Sequence, residues 1–221
     1  MNEANLADRS NEASPDQITA LVREILGDDQ VHARWLNTLS LLENSGARKI
    51  SAAQHPELVT EEMLRHTVEE SRHAWYLKRQ IRKLGEVECP SYEPQYLLAP
   101  TSSRHYLQKL DMAVSRLVKS HLGLKGSALR SACYLLVTYG IEVKADLLYG
   151  TYERLLEEHE SRVTVRSIIA DEENHLDEMT TAIEREFEDP AWWIGEVCAA
   201  EQQIFAAWLT AVTVDVQSWN S

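Results

Sequence analysis

Glu69-Glu70-Ser71-Arg72-His73 and Asp171-Glu172-Glu173-Asn174-His175 are the two stretches whose residue types and spacing can do chemistry. On an α-helix, residues i and i+3 share a face about 5–6 Å apart, so Glu70 and His73 can grip one metal ion together. Glu172 and His175 can do the same on another helix. Of the eight histidines, only His73 and His175 have a glutamate three positions earlier. In so acidic a chain a match of that kind arises by chance, so the doublet alone is a weak signal. Spacing strengthens it. Glu43 stands 27 residues before Glu70, and Glu142 stands 30 before Glu172. In an antiparallel helical hairpin, residues equidistant from the turn lie at the same height. Glu43 and Glu70 are symmetric about positions 56–57, where Pro56 interrupts the helical pattern. Glu142 and Glu172 are symmetric about position 157, inside the polar run Glu157-Glu158-His159-Glu160-Ser161.

The apolar periodicity places the same residues on inward faces. Glu43 shares a stripe with Leu36, Leu39, Gly46, Ala47 and Ile50, while Glu70 and His73 lie with Met63, Ala74, Leu77 and Ile81. Glu142 lies with Leu135, Tyr139 and Ala145, and Glu172 and His175 with Ile168, Ile169, Leu176 and Met179. Burying such charges without a partner costs several kcal/mol each, and a pair of metal cations is a natural compensation. Coincidental acids and histidines on a surface-charged bundle are the alternative. Carboxylates and imidazoles suit iron or manganese, and the chain offers no thiolate set for a softer metal.

These motifs resemble the ferritin-like superfamily of di-iron carboxylate proteins: Glu, then Glu-x-x-His, a long gap, then Glu and a second Glu-x-x-His. Glu69-Glu70-x-Arg72-His73 is close to the form found in soluble desaturases and bacterial multicomponent monooxygenases. The second motif keeps the leading acid but has Asn174 where that form has arginine. Within each hairpin the spacing is similar to that of compact aldehyde-deformylating oxygenases and tRNA hydroxylases. The resemblance spans about residues 30–187 and implies an all-α, antiparallel four-helix bundle with a long crossover. It implies two iron ions, or a manganese–iron pair, held by Glu43, Glu70, His73, Glu142, Glu172 and His175. In that arrangement Glu43 and Glu142 each serve one metal, and Glu70 and Glu172 bridge. It also implies that Asp171 orients His73 and that Glu69 orients His175 across the bundle. Asp146, one turn after Glu142, can join this network or face solvent. Tyr139 and Tyr149 flank Glu142 and can supply a hydrogen bond or an electron, or serve as core tyrosines.

Three functions follow from that reading. The first is an oxidase or oxygenase that activates O₂ against a small organic substrate, drawing on an external electron donor. The small residues Gly46, Ala47, Ala74 and Ala145 near the ligand layer favour it by leaving room for a pocket. The second is a ferroxidase, iron-storage or peroxide-detoxifying protein, which needs little beyond the bundle. The third is a non-enzymatic bundle with structural metal, its Trp-rich last helix meeting a partner.

Around these motifs the chain reads as one domain over 14–221, preceded by a polar tail at 1–13. Helices are expected at about 15–26, 30–53, 60–84, 102–121, 127–150 or beyond, 162–187 and 190–218, with an irregular crossover at 86–101 around Pro90, Pro94 and Pro100. A net charge of −13 disfavours nucleic acid and anionic membranes. The cluster Lys78, Arg79, Arg82 and Lys83 is the exception, and it suits a solvated helix C-terminus. Cys89, Cys133 and Cys198 are isolated and odd in number, so a reducing cytoplasm is the expected location. No N-terminal signal pattern is visible, and Glu196 and Glu201 interrupt the apolar stretch 190–214, so no membrane span is expected. Trp192, Trp193, Ile194, Phe205, Trp208 and Leu209 supply either a homodimer interface or a cover for the bundle.

Overall fold

The computed structural model describes residues 15–55, 57 and 59–219. The polar tail at 1–13, Ser14 and Pro56 lie outside them. The described residues form an all-helical bundle of seven α-helices, with no strand among them: α1 (Pro15–Leu26), α2 (Asp29–Ala53), α3 (Glu61–Ile81), α4 (Pro100–Leu122), α5 (Gly126–Glu158), α6 (Arg166–Glu186) and α7 (Pro190–Trp219). Helices α2 and α3 pack along most of their length, and α5 pairs similarly with α6.

Local chemistry explains where these helices start. Asp28 caps α2, its Oδ1 accepting from Gln30 N at 2.7 Å and Val31 N at 3.0 Å. Thr60 caps α3 through Met63 N at 3.2 Å. Each such cap contributes about 1 kcal/mol by satisfying an amide that has no partner within the helix. Helix α6 begins at Arg166, later than the expected 162. Val163 and Val165 are buried in non-helical chain, and Glu153 on α5 accepts from Val165 N at 2.6 Å and Thr164 Oγ1 at 2.8 Å. A carboxylate from the preceding helix thus anchors the segment that leads into α6.

Helix α5 runs through Gly150 to Glu158. A helical glycine costs roughly 1 kcal/mol against alanine, and burial of Tyr149, Tyr152, Leu155 and Leu156 outweighs that cost. Near the middle of the helix, Gly140 permits close approach of α7: a Cβ there would lie 2.9 Å from Val197 Cγ1.

The crossover between α3 and α4 is pinned to α2. Asn37 Nδ2 donates to Ser91 O at 2.9 Å and Tyr96 O at 2.7 Å, and Leu98 N donates to Thr38 Oγ1 at 2.8 Å. Helix α7 is long and apolar enough to cross a membrane by length and composition. It nonetheless buries Trp193, Val197, Phe205, Trp208, Leu209 and Val212 inside the chain, packing on α4 and α5. Trp208 stacks on Trp35 and donates its indole N–H to Ser103 Oγ at 2.9 Å. Most of the aromatic surface noted in the sequence is therefore core, and Trp192 is its exposed member.

Candidate metal centre

Four helices bring the acids and histidines of the two motifs together. Glu43 comes from α2, Glu70 and His73 from α3, Glu142 from α5, and Glu172 and His175 from α6; all six are buried. They are joined by His66, one turn before Glu70 on α3 and 2 % exposed. The ligand atoms fall into two groups, each with its atoms within 4.8 Å of one another: Glu43, Glu70, His73 and Glu172, and His66, Glu70, Glu142 and His175. Either group can hold a metal ion, and Glu70 belongs to both.

His66 was legible as a position, though not as a motif. Residues 66, 70 and 73 follow i, i+4, i+7 on one helix face. A pattern that requires the acid to precede the histidine passes over it.

The imidazoles are aimed from outside. His73 Nε2 lies 3.0 Å from Asp171 Oδ2, and His175 Nε2 lies 2.8 Å from Glu69 Oε2. With those nitrogens held, each Nδ1 faces inward. His73 Nδ1 is 3.1 Å from Glu172 Oε1, and His175 Nδ1 is 3.3 Å from Glu172 Oε2, so the two oxygens of one carboxylate face different histidines. Arg72 binds Asp171, and Arg65 makes a two-pronged contact with Glu178 at 2.5 and 2.6 Å while reaching Glu69 at 3.7 Å. Tyr149, fully buried, donates its hydroxyl to Glu43 Oε1. The structure does not bring the other two sequence candidates to the cluster. Asp146 is exposed, and Tyr139 is half-buried among apolar side chains such as Leu135 and Met179.

Packing four carboxylates into a dry interior distorts their acidity. Burial, reinforced by the Glu43 charge, pushes Glu70 up to about 7. Burial and the Glu172 charge hold Glu142 well above the ordinary carboxylate range. For Glu172 burial acts in the same direction, but hydrogen bonding with Glu142, His175 and His73 overrides it and holds the group well below that range. Burial pulls His73 down, yet the flanking Glu172 and Glu43 push it up to about 11, and His175 rises against burial to about 9 through Glu172 and Glu69. Protons on the raised groups Glu70, Glu142, His73 and His175 thus neutralise this nest of side chains, and they occupy places that cations could take.

One atom tests whether metal fits. Among the described residues, His73 Nδ1 is buried without a hydrogen bond of good geometry, although three carboxylates surround it within 3.8 Å. A buried imidazole nitrogen left open in a ring of carboxylate oxygens is what a divalent metal satisfies, and the oxygen–nitrogen donor set suits iron or manganese. The residues fit the group.

Two spaces adjoin the nest. An apolar cavity of about 70 Å³ is bordered by Glu43 and Glu70 on one side and by Leu39, Ala145, Leu148 and Phe205 elsewhere. Its wall also carries a buried polar set that the motifs did not reveal: Tyr106 donates to Glu201, and Lys144 Nζ lies 2.6 Å from Gln202 Oε1 and 3.5 Å from Glu201 Oε2. A separate polar cleft of about 280 Å³ is lined by Arg65, Glu69, Asp171, Asn174, His175 and Glu178.

No protein-family model, curated protein or solved structure matches this chain.

Proposed function

We propose that this chain is a dimetal carboxylate oxidoreductase of the ferritin-like type, an oxidase or oxygenase that uses O₂ on a small organic substrate. One observation carries the reading: an apolar cavity bordered directly by Glu43 and Glu70, the second of which is shared by the two Glu/His groups. In this reading α2/α3 and α5/α6 are the two hairpins of an antiparallel four-helix bundle, and each donates a lone glutamate and a Glu-x-x-His.

Glu43, Glu70, His73, Glu142, Glu172 and His175 would hold two iron ions, or one manganese and one iron. Such a pair, when bound, supplies two electrons to O₂ from neighbouring ions. The chain's own residues do the rest. Asp171 and Glu69 fix the rings of His73 and His175, so their inward nitrogens need not reorganise. Tyr149 directs its hydroxyl proton at Glu43 Oε1, at the edge of the cavity. Leu39, Ala145, Leu148 and Phe205 exclude water from the space where substrate would sit, which protects reactive species from side reactions.

A second reading, iron oxidation or storage, is favoured by the polar cleft, whose acids Glu69, Asp171 and Glu178 could pass cations toward His175. Anaerobic titration with Fe²⁺, followed by repeated additions of Fe²⁺ and O₂, separates the two. The oxidoreductase reading expects uptake to stop at two ions per chain. Continued deposition to tens of ions per chain, as soluble mineral, would overturn it in favour of storage.

A further inference from the structure

We propose that His66 is a seventh protein ligand and that it makes the two metal positions chemically unlike. This rests on the dimetal reading and goes beyond it. The Glu-x-x-His pattern alone gives two equivalent positions, each with one histidine. The structure places a second imidazole at one position only.

The geometry of His66 parallels that of the other two histidines. Its Nε2 points inward, 3.1 Å from Glu142 Oε1 and 3.5 Å from Glu70 Oε1. Its Nδ1 is backed by the Tyr134 hydroxyl at 3.3 Å, as Asp171 backs His73 and Glu69 backs His175. A tyrosine hydroxyl can accept from Nδ1–H, which leaves the Nε2 lone pair facing the nest. His175 Nδ1 addresses the same two oxygens, 3.8 Å from Glu142 Oε1 and 3.9 Å from Glu70 Oε1. The two rings lie 4.1 Å apart between centroids. Two nitrogens and two oxygens therefore surround one point, within 4.8 Å of one another. The other point is surrounded by His73 Nδ1 and oxygens of Glu43, Glu70 and Glu172.

One position thus offers two imidazoles and two carboxylates, and the other offers one imidazole and three carboxylates. Nitrogen donors favour Fe²⁺ over Mn²⁺, in line with the rise in affinity across the first-row series, whereas an oxygen-rich set discriminates less and suits Mn²⁺. The structure therefore assigns iron to the His66 position and leaves the Glu43 position open to manganese. With iron alone, the His66 position fills first.

The test is loading of the chelator-stripped full chain with equimolar Fe²⁺ and Mn²⁺ without O₂, followed by crystallography with anomalous data at both absorption edges. The expected result is His66 Nε2 bonded to metal at about 2.1 Å. The iron-to-manganese ratio should be about tenfold higher at the His66 position than at the Glu43 position. His66→Gln should keep both positions filled and bring the two ratios close together. Two bound metals with His66 outside bonding distance in the unmodified chain would overturn the assignment without recourse to any variant. So would equal ratios at both positions, or a preference that survives His66→Gln. A chain that takes up neither metal would instead sink the dimetal reading itself.

Discussion

Gly46 on α2 faces Glu70 on α3 so closely that a Cβ at position 46 would lie 2.8 Å from Glu70 Oε2. The glycine makes room for the carboxylate shared by both groups of candidate ligands. Gly46→Ala should therefore separate stability from metal binding. Alanine favours the helix by about 1 kcal/mol, so the chelated protein should melt at the same temperature or slightly higher. Glu70 must swing aside, and Fe²⁺ affinity should fall at both positions by about tenfold or more. Calorimetric titration beside thermal melting reads both quantities, and unchanged affinity would refute the role given to Gly46.

Removal of single carboxylates should reveal which metal each serves. Glu43→Ala and Glu142→Ala should each leave about one ion per chain, since each residue belongs to one group. Glu70→Ala should lower both, because Glu70 belongs to both. Elemental analysis of iron-loaded protein measures this. One tightly held zinc ion, unaffected by Glu142→Ala, would contradict the paired arrangement.

Asp171 touches both His73 and Arg72, so two variants are needed to tell its roles apart. Asp171→Asn should weaken metal binding by about 10–100-fold through misorientation of the ring. Arg72→Ala breaks an exposed ion pair, worth at most about 1 kcal/mol, and should leave affinity nearly intact. Equal losses in the two variants would show that the ion pair, rather than the imidazole contact, matters.

The motif residues were readable because their chemistry is local: Glu70 and His73 share a helix face whatever surrounds them. His66 shares that face too, but its partners Glu142 and Tyr134 lie on another helix and become evident only after folding. Tyr139 and Asp146 were left open between two roles for a different reason. Helix α5 is packed by α1, α4, α6 and α7, so its burial runs almost all the way round and no single stripe points to the centre. The late start of α6 depends on Glu153, a residue contributed by the preceding helix. The Tyr106–Glu201–Lys144 set joins three helices and carries no sequence spacing at all.

Acid should destabilise the protein through a group outside the candidate metal centre. Burial lowers His32 to about 4, and its Nε2 sits 2.5 Å from the Tyr152 hydroxyl. The folded value lies below that of an unfolded histidine, so protons favour the unfolded chain. The stabilisation is complete above pH about 6.5 and is lost as the pH falls toward 4, by about 3 kcal/mol. Urea unfolding of chelated protein at pH 7 and pH 4 should show that extra loss relative to His32→Gln. Parallel losses in the two proteins would remove His32 as the cause.

Filling the apolar cavity should leave the centre intact. Ala145→Phe projects a ring toward Leu148 and Phe205 at the cavity wall. Two metals should still bind, and xenon, which occupies dry apolar cavities, should enter crystals of the unmodified chain and not those of the variant. Xenon at full occupancy in both would show that residue 145 does not bound the space.

The two hairpins are extensively packed within themselves, whereas α3 and α6 approach each other at only a few points. Across that seam lie the Arg65–Glu178 and Arg72–Asp171 pairs, which are partly exposed and contribute little. A cation pair gripped from both sides would act as a rivet between two halves that each zip up from short-range contacts. Starved of metal, the seam would breathe: amides along α3 and α6 would exchange with solvent well before those of α2 and α5. Metal supply would then govern how long the polypeptide escapes proteolysis, because every bound ion draws the population toward the closed form.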